Sequence, residues 1–315
     1  MAKAPRPLSG KVAAITGGAR GIGRATAAAL IARGVHVAIG DIDAALAEQT
    51  AAELGSGTVG LPLDVTNRES FSAFLTEVES RLGPLDIVVN NAGIMPVGPF
   101  HEESDALTKR LVDINVHGVI LGSKLALDRF QARGRGHLVN IASIAGKSGV
   151  PHLATYVATK HAVVGLTESL RLEYGPRGID FSIVMPIGTN TELYSGLQQI
   201  RGMETPEPED VGAAIVEALE TGRVDVYVPK RMNATIRLGA LLPRRAAEAI
   251  NKALGGTEAM TQPDRAARAA YEQRIGQTMA AAEAPAEAPA PEDAQLSAEA
   301  SQSETSPPIS APASS

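Results

Sequence analysis

Tyr156 and Lys160 stand four residues apart in Tyr156-Val-Ala-Thr-Lys160. In a helix they project from one face, a turn apart. A phenol ordinarily ionises near pH ~10, and a neighbouring ammonium favours the phenolate, so the pair is a candidate general acid/base. Ser143 follows the apolar run from His137 to Ala142, which reads as a strand. Its hydroxyl would then sit at a strand's C-terminal end, where it could hold a substrate oxygen. The Tyr/Lys spacing also arises by chance, commonly as a half-buried ring beside a solvated amine, so the surrounding chain must decide.

The elements that would position these groups read in order. Lys11-Val-Ala-Ala-Ile-Thr16 is a strand that runs into Gly17-Gly-Ala-Arg-Gly-Ile-Gly23 and an alanine-rich helix. Strand, glycine turn and helix in that order make a dinucleotide site: Gly17 permits the sharp exit, while Gly21 and Gly23 let backbone approach a pyrophosphate at the helix N-terminus. A second strand, Val35 to Gly40, precedes Asp41, about twenty residues beyond the loop, where an acid binds the adenosine ribose hydroxyls. Its carboxylate favours NAD over NADP; Arg20 pulls the other way, toward a 2'-phosphate. Asp41 as helix cap is the alternative, a role that Asp43 fills more naturally. Further strands run from Thr58 to Leu63, ending at Asp64 and Val65, and from Leu85 to Val89, ending at Asn90-Asn-Ala-Gly93. Alternating strands and helices predict an α/β fold, a doubly wound parallel sheet of Rossmann type with ligands at the strands' carboxyl ends.

These motifs resemble the classical short-chain dehydrogenase/reductase family, in that family's order and spacing, over about Leu8 to Pro229. The resemblance rests on Thr16 to Gly23, Asp64, Asn90 to Gly93, Asn115, Ser143 and Tyr156 to Lys160. It implies that Tyr156 moves the substrate proton, Lys160 binds the nicotinamide ribose, Ser143 holds the substrate oxygen and Asn115 holds a water leading to Lys160. Asn115 could at the same time be a buried asparagine satisfying helix carbonyls. By the same resemblance Gly17, Arg20, Ile22, Asp41, Asp64, Val65, Asn91, Ala92 and Gly93 line the dinucleotide. Pro186, Thr189 and Thr191 follow a strand from Ile179 to Met185 and approach the carboxamide. Here the chain departs from the family, with Ile187 in place of glycine and Thr189 in place of an aliphatic residue.

Residues that the family places around the substrate are mostly apolar: Ile94, Met95, Val150, Leu153, Ile187, Leu193 and Leu197, beside Ser143. Lys147 is the one cation expected near them. This predicts a lipophilic secondary alcohol or ketone, such as a steroid, terpenoid, retinoid-like or fatty substrate. An NADPH-dependent carbonyl or ketoacyl reductase is the alternative, and a non-catalytic dinucleotide-binding scaffold a more distant one. The family also implies a homodimer or homotetramer, through helices around Ser104 to Phe130 and Leu153 to Tyr174.

The core should close with a helix from Pro208 and a strand from Val224 to Val228, giving a catalytic domain over 1–229. Residues 230–280 read as a basic amphipathic helical extension, expected to fold over the substrate opening or against another subunit, with peripheral membrane contact through 230–254 as the alternative. From Ala281 the Ala/Pro/Ser/Glu composition predicts a disordered acidic tail. That tail carries six acids and no Lys or Arg, which accounts for the whole net charge of −6. The remainder is electrically balanced and poor in aromatics, so nucleic-acid binding is not expected. There is no cysteine for a zinc cluster or disulfide, and no metal site is expected. With no apolar leader or spanning run, a cytoplasmic protein is expected, membrane-associated only if the basic segment binds lipid.

Overall fold

The computed structural model describes residues 5–198, 205–239, 242, 243, 245, 246, 249 and 258–283. Seven strands carry the fold: β1 (Val12–Thr16), β2 (His36–Asp41), β3 (Val59–Pro62), β4 (Ile87–Asn90), β5 (Gly136–Ile141), β6 (Ile179–Pro186) and β7 (Asp225–Val228). They form one sheet in the order β3-β2-β1-β4-β5-β6-β7, every pair parallel. These are short, mostly apolar runs buried on both faces, as strands sandwiched between helix layers must be. Alternate side chains serve opposite layers. Ala13, Ile15, Val37 and Ile39 join one core, and Val12, Ala14 and Ala38 the other.

On the first face lie α1 (Gly21–Ile31) and α7 (Pro208–Thr221). They approach so closely that a Cβ on Gly212 would lie 2.8 Å from the Ala25 carbonyl oxygen. The remaining helices of the sheet are α2 (Ala44–Leu54), α3 (Arg68–Leu82), α4 (Asp105–Val112), α5 (Gly118–Arg133) and α6 (Ala154–Tyr174). Phe71, Phe74, Leu75 and Val78 of α3 pack with Leu121, Leu125 and Phe130 of α5 against the second face. Asp43 caps α2, its Oδ1 accepting from the Leu46 N–H at 3.1 Å, so the cap belongs to Asp43 rather than to Asp41. The helix expected from Ser104 to Phe130 is interrupted: Asp113–His117 is a π-helical turn carrying Asn115. Such a turn widens the helix and re-aims side chains, and it commonly marks functional positions.

The strand order reverses between β1 and β4, whose carboxyl ends therefore open into a crevice. Beyond the sheet come α8 (Met232–Gly239), α9 (Glu258–Thr261) and α10 (Arg265–Glu283). The described parts of the extension are mostly helical, and α10 runs on through Glu283, three residues into the stretch whose composition changes at Ala281. The acidic tail from 284 onward, and much of 240–257, lie outside the described residues. Among the described residues no helix is long and apolar enough to cross a membrane.

Candidate active site

One cleft of about 810 Å³ runs along the carboxyl ends of the strands. Over β1 to β3 it is lined by Gly17, Arg20, Gly21 and Ile22, by Asp41, and by Asp64 and Val65; Asn91, Ala92 and Gly93 line its middle. The turn depends on glycine at Gly17, with φ +61° and room for a Cβ only 2.9 Å from the Ala92 Cα. No acidic residue stands in the first turn of α1, which leaves its N-terminal amides suited to an anion. Gly23 has a different part from the one expected. It does not line the cleft; a Cβ there would meet the Gly17 carbonyl oxygen at 2.2 Å and Asn91 Nδ2 at 2.8 Å, so it lets α1 dock beneath the loop.

Asn91, expected at the dinucleotide, pairs with Thr16 and ties the two central loops together. Asn91 Nδ2 donates to the Thr16 and Gly17 carbonyls at 2.9 and 3.0 Å, and Thr16 Oγ1 accepts from the Asn91 and Ala92 N–H groups at 2.9 and 3.0 Å. Asp64 Oδ1 is held by the Thr66 N–H and hydroxyl at 2.9 and 2.7 Å.

At the end of β2, Asp41 accepts from the Ala19 N–H at 3.2 Å and from the Asp43 N–H at 3.2 Å. Burial raises its pKa, and those two bonds and Arg20 act against the rise. Arg20 is already engaged: Nη2 lies 2.6 Å from Asp43 Oδ2 and Nη1 lies 3.7 Å from Glu192 Oε2.

The reactive set lies deeper. Tyr156 is 7 % exposed and Lys160 5 %. Lys160 Nζ donates to the Ile141 carbonyl at 2.9 Å and stands 5.6 Å from the Tyr156 ring centroid. The expected lowering of the phenol is not what the protein alone produces. Burial pushes Tyr156 well above the ordinary tyrosine value, and the Ser143 hydroxyl brings it only partly back. Burial also acts on Lys160, whose charged form it disfavours, lowering it to about 8. Ser143 caps a 3-10 turn, its Oγ accepting from the Ala145 N–H at 3.1 Å while its proton points toward the Pro186 carbonyl at a long 3.4 Å.

Asn115 is fully buried and does not line the cleft. Its Oδ1 accepts from the Ile94 N–H at 2.9 Å, and Nδ2 donates to the Ile94 carbonyl at 2.9 Å and to Thr159 Oγ1 at 3.3 Å. With both amide protons committed, the side chain fixes the loop after β4 next to Lys160. The side chain is buried as that alternative had it, but it satisfies Ile94 in the loop after β4 rather than helix carbonyls.

On the far side the cleft is lined by Ile94, Met95, Val150, Leu153, Ile187 and Leu193, with Pro186, Thr189 and Thr191 at the junction. Leu197 does not reach it; it packs behind the wall in an apolar cluster with Met95 and Met260. Lys147 is also absent from the lining, being 3.0 Å from Glu168 on α6. Besides Arg20 and Lys160, the cations that line the cleft are Arg110, whose buried Nε has no partner among the described residues, and Arg274, which is 2.5 Å from Glu192. Much of the unforeseen lining of the apolar half comes from beyond the sheet: Met232, Ile236, Leu238 and Leu242 in and after α8, and Met260, Tyr271, Arg274 and Ile275. The extension thus folds over the opening. Sequence could have flagged the apolar stripe of α8, but nothing in α10 marks its inward face.

Comparison with known proteins agrees with this geometry. Residues 11–201 match the family model described as short chain dehydrogenase. The chain is 38 % identical over 229 residues to 2-(S)-hydroxypropyl-CoM dehydrogenase 3 of Xanthobacter autotrophicus, covering 66 % of this chain and 89 % of that protein. It is 38 % identical over 179 residues to 3-alpha-(or 20-beta)-hydroxysteroid dehydrogenase of Mycobacterium bovis, covering 57 % and 69 %. Among solved structures, a short chain dehydrogenase/reductase from Burkholderia phymatum in complex with NAD superposes with a TM-score of 0.69 at 26 % identity, covering 75 % of this chain and 94 % of that one. The chain belongs to the short chain dehydrogenase family and is an oxidoreductase built on a Rossmann-type fold.

Proposed function

We propose that the protein is an NAD(H)-dependent oxidoreductase that interconverts a lipophilic secondary alcohol and its ketone. The observation that carries this reading is a buried phenol, ammonium and hydroxyl set midway along one cleft, with a polar half over β1 to β3 and an apolar half beneath the helical extension.

A bound nicotinamide would supply the hydride chemistry. The chain's own residues manage one proton and the geometry. In the oxidation direction the Ser143 hydroxyl holds the substrate oxygen while Tyr156 takes its proton, leaving a ketone; in reduction Tyr156 returns the proton to the developing alkoxide. Burial raises Tyr156 and the Ser143 hydroxyl lowers it, so the positive charge that an oxidised cofactor would bring into the cleft favours the phenolate that alcohol oxidation needs. Lys160, held by Ile141, supplies the fixed cation and a ribose-binding amine. The fit for a dinucleotide rests on the Gly17 and Gly21 turns, the uncapped N-terminus of α1 and the open face of Asp41. Two carboxylates, Asp41 and Asp43, line the cleft after β2 and would repel a 2'-phosphate held there, and Arg20 is already paired with Asp43. That supports NAD over NADP.

Titration of the protein with NADH and NADPH, followed by nicotinamide fluorescence, tests the cofactor assignment. Preference for NADH in the wild type that disappears in Asp41→Ala is expected. Preference for NADPH would assign Arg20 to the phosphate and replace this reading with a reductase acting on ketones.

A further inference from the structure

The helix α10 reaches the cleft through one phenol. Tyr271 is 7 % exposed and lines the cleft near Met260 and Ile275. Its oxygen accepts a hydrogen bond from the Met95 N–H at 2.8 Å. That bond uses an acceptor site and leaves the phenol's own proton, for which no described residue provides an acceptor. A buried hydroxyl proton facing a cleft is a donor awaiting a partner, because leaving it unpaired in an apolar setting is costly.

The ring is held rather than free to swing. The Arg268 guanidinium lies 5.2 Å from its centroid and that of Arg274 5.6 Å. Arg268 is itself fully buried and grips both loops that wall the apolar half, donating to the Met95 carbonyl at 2.9 Å, to Leu193 at 3.2 Å and to Ser195 at 3.0 Å. Ser195 Oγ returns a bond to the Ala267 carbonyl at 2.9 Å, and Arg274 closes the rim on Glu192. Burial keeps the phenol protonated, raising it to about 12, so at neutral pH it is a donor. It also lies close enough to Tyr156 for the two phenols to influence each other's ionisation.

We propose that Tyr271 is a specificity-determining residue that donates a hydrogen bond to a second acceptor oxygen of the substrate, so that the cleft selects lipophilic alcohols and ketones bearing two oxygens, with Arg268 as its positioning residue. The proposal rests on the lipophilic alcohol/ketone reading above and narrows it. One substrate oxygen meets Ser143 and Tyr156 while the other meets Tyr271, which orients an otherwise featureless hydrocarbon. A mono-oxygenated ligand enters the same cleft but leaves the Tyr271 proton unpaired. Discrimination by a buried partner left unsatisfied is the strong form of specificity.

The test measures ketone binding to the protein–NADH complex in a Tyr156→Phe background, which prevents turnover. Two matched pairs are used: 2-decanone with 2,3-decanedione, and 5α-androstan-3-one with 5α-androstane-3,17-dione. In at least one pair the diketone should bind about tenfold more tightly, the ordinary worth of one hydrogen bond to a neutral partner. Adding Tyr271→Phe should erase that margin and leave the NADH dissociation constant unchanged, while the loss of the acceptor for the Met95 N–H touches both members of a pair equally and so leaves their ratio near one. A merely structural role for Tyr271 would weaken both members of a pair alike. Ketone binding with no diketone margin, or with a margin that survives Tyr271→Phe, overturns the assignment. If NADH binds and none of the four ketones does, the lipophilic-substrate reading itself fails and the proposal falls with it.

Discussion

Replacing Arg268 by methionine should release the helical cap while sparing the sheet and the cofactor half of the cleft. The guanidinium is fully buried and donates to three carbonyls, of Met95, Leu193 and Ser195. Methionine fills much of the space but leaves those three oxygens without their donors. The buried charge leaves with the mutation, so the cost is set by the neutral carbonyls at roughly 1 kcal/mol each, about 3 kcal/mol together. At 1.4 kcal/mol per factor of ten, that is an increase of roughly 100-fold in opening of α10 from the loops. Hydrogen exchange reads it directly. The Asp264 amide, bonded to the Gly196 carbonyl at 2.8 Å, and the Arg268 amide, bonded to Asp264 at 3.1 Å, report cap docking. Both should exchange roughly 100-fold faster, while amides of β1 and β4 keep their rates and NADH affinity is unchanged. Unchanged exchange at those two amides, or equal acceleration throughout the sheet, would refute the view that Arg268 fastens the cap.

Other expectations concern the loop and the buried titrating groups. Gly23→Ala puts a methyl 2.2 Å from the Gly17 carbonyl oxygen; at about 1–3 kcal/mol of overpacking it should lower both melting temperature and NADH affinity, and an unaltered NADH dissociation constant would contradict the docking role given to Gly23. Lys160 titrates at about 8 in the fold against 10.5 when unhindered. Between those values the unfolded chain keeps a proton that the folded chain has released, so this group makes stability rise with pH across that window, by about 3 kcal/mol. Urea unfolding near pH 8 and near pH 10 should show the rise in wild type and its loss in Lys160→Met. His137, with Nε2 2.9 Å from Ser182 Oγ, is pushed down by burial from 6.5 to about 4. Its contribution is present above pH 6.5 and fades as the unfolded imidazole protonates between 6.5 and 4. His137→Gln should therefore flatten the acid limb of the stability profile, and an unchanged limb would place the acid sensitivity elsewhere.

The parts of the site legible in the sequence are those where chemistry coincides with a local pattern. Strand followed by polar or glycine cluster occurs at Thr16, Asp41, Asp64 and Asn90, and a parallel sheet gathers all such ends on one edge, so placement follows from order alone. Tyr156, Lys160 and Ser143 belong to the same logic. What sequence could not convey is closeness in three dimensions. Gly23 looked like a ligand-facing glycine, yet the crowding at its Cα comes from Gly17 and Asn91. Asn115 reads in the sequence as a residue holding a water beside Lys160, while its side-chain amide, carried on a π-turn, is bonded to Ile94. The acidity expected for Tyr156 rested on a neighbouring ammonium; burial of the phenol raises it instead. The contacts of Arg268 and Tyr271 span more than 170 residues of chain. An arginine and a tyrosine in an alanine-rich helix carry no periodic signal of such a role.

The account stands most directly on hydride transfer that depends on Tyr156. Absorbance of NADH at 340 nm, followed with NAD and a lipophilic secondary alcohol such as androsterone or 2-decanol, measures it. Wild type should produce NADH, with Tyr156→Phe slower by about 10²–10⁴-fold and NADH affinity retained. Equal rates in the two proteins would remove the phenol from the chemistry and contradict the mechanism derived from this cleft.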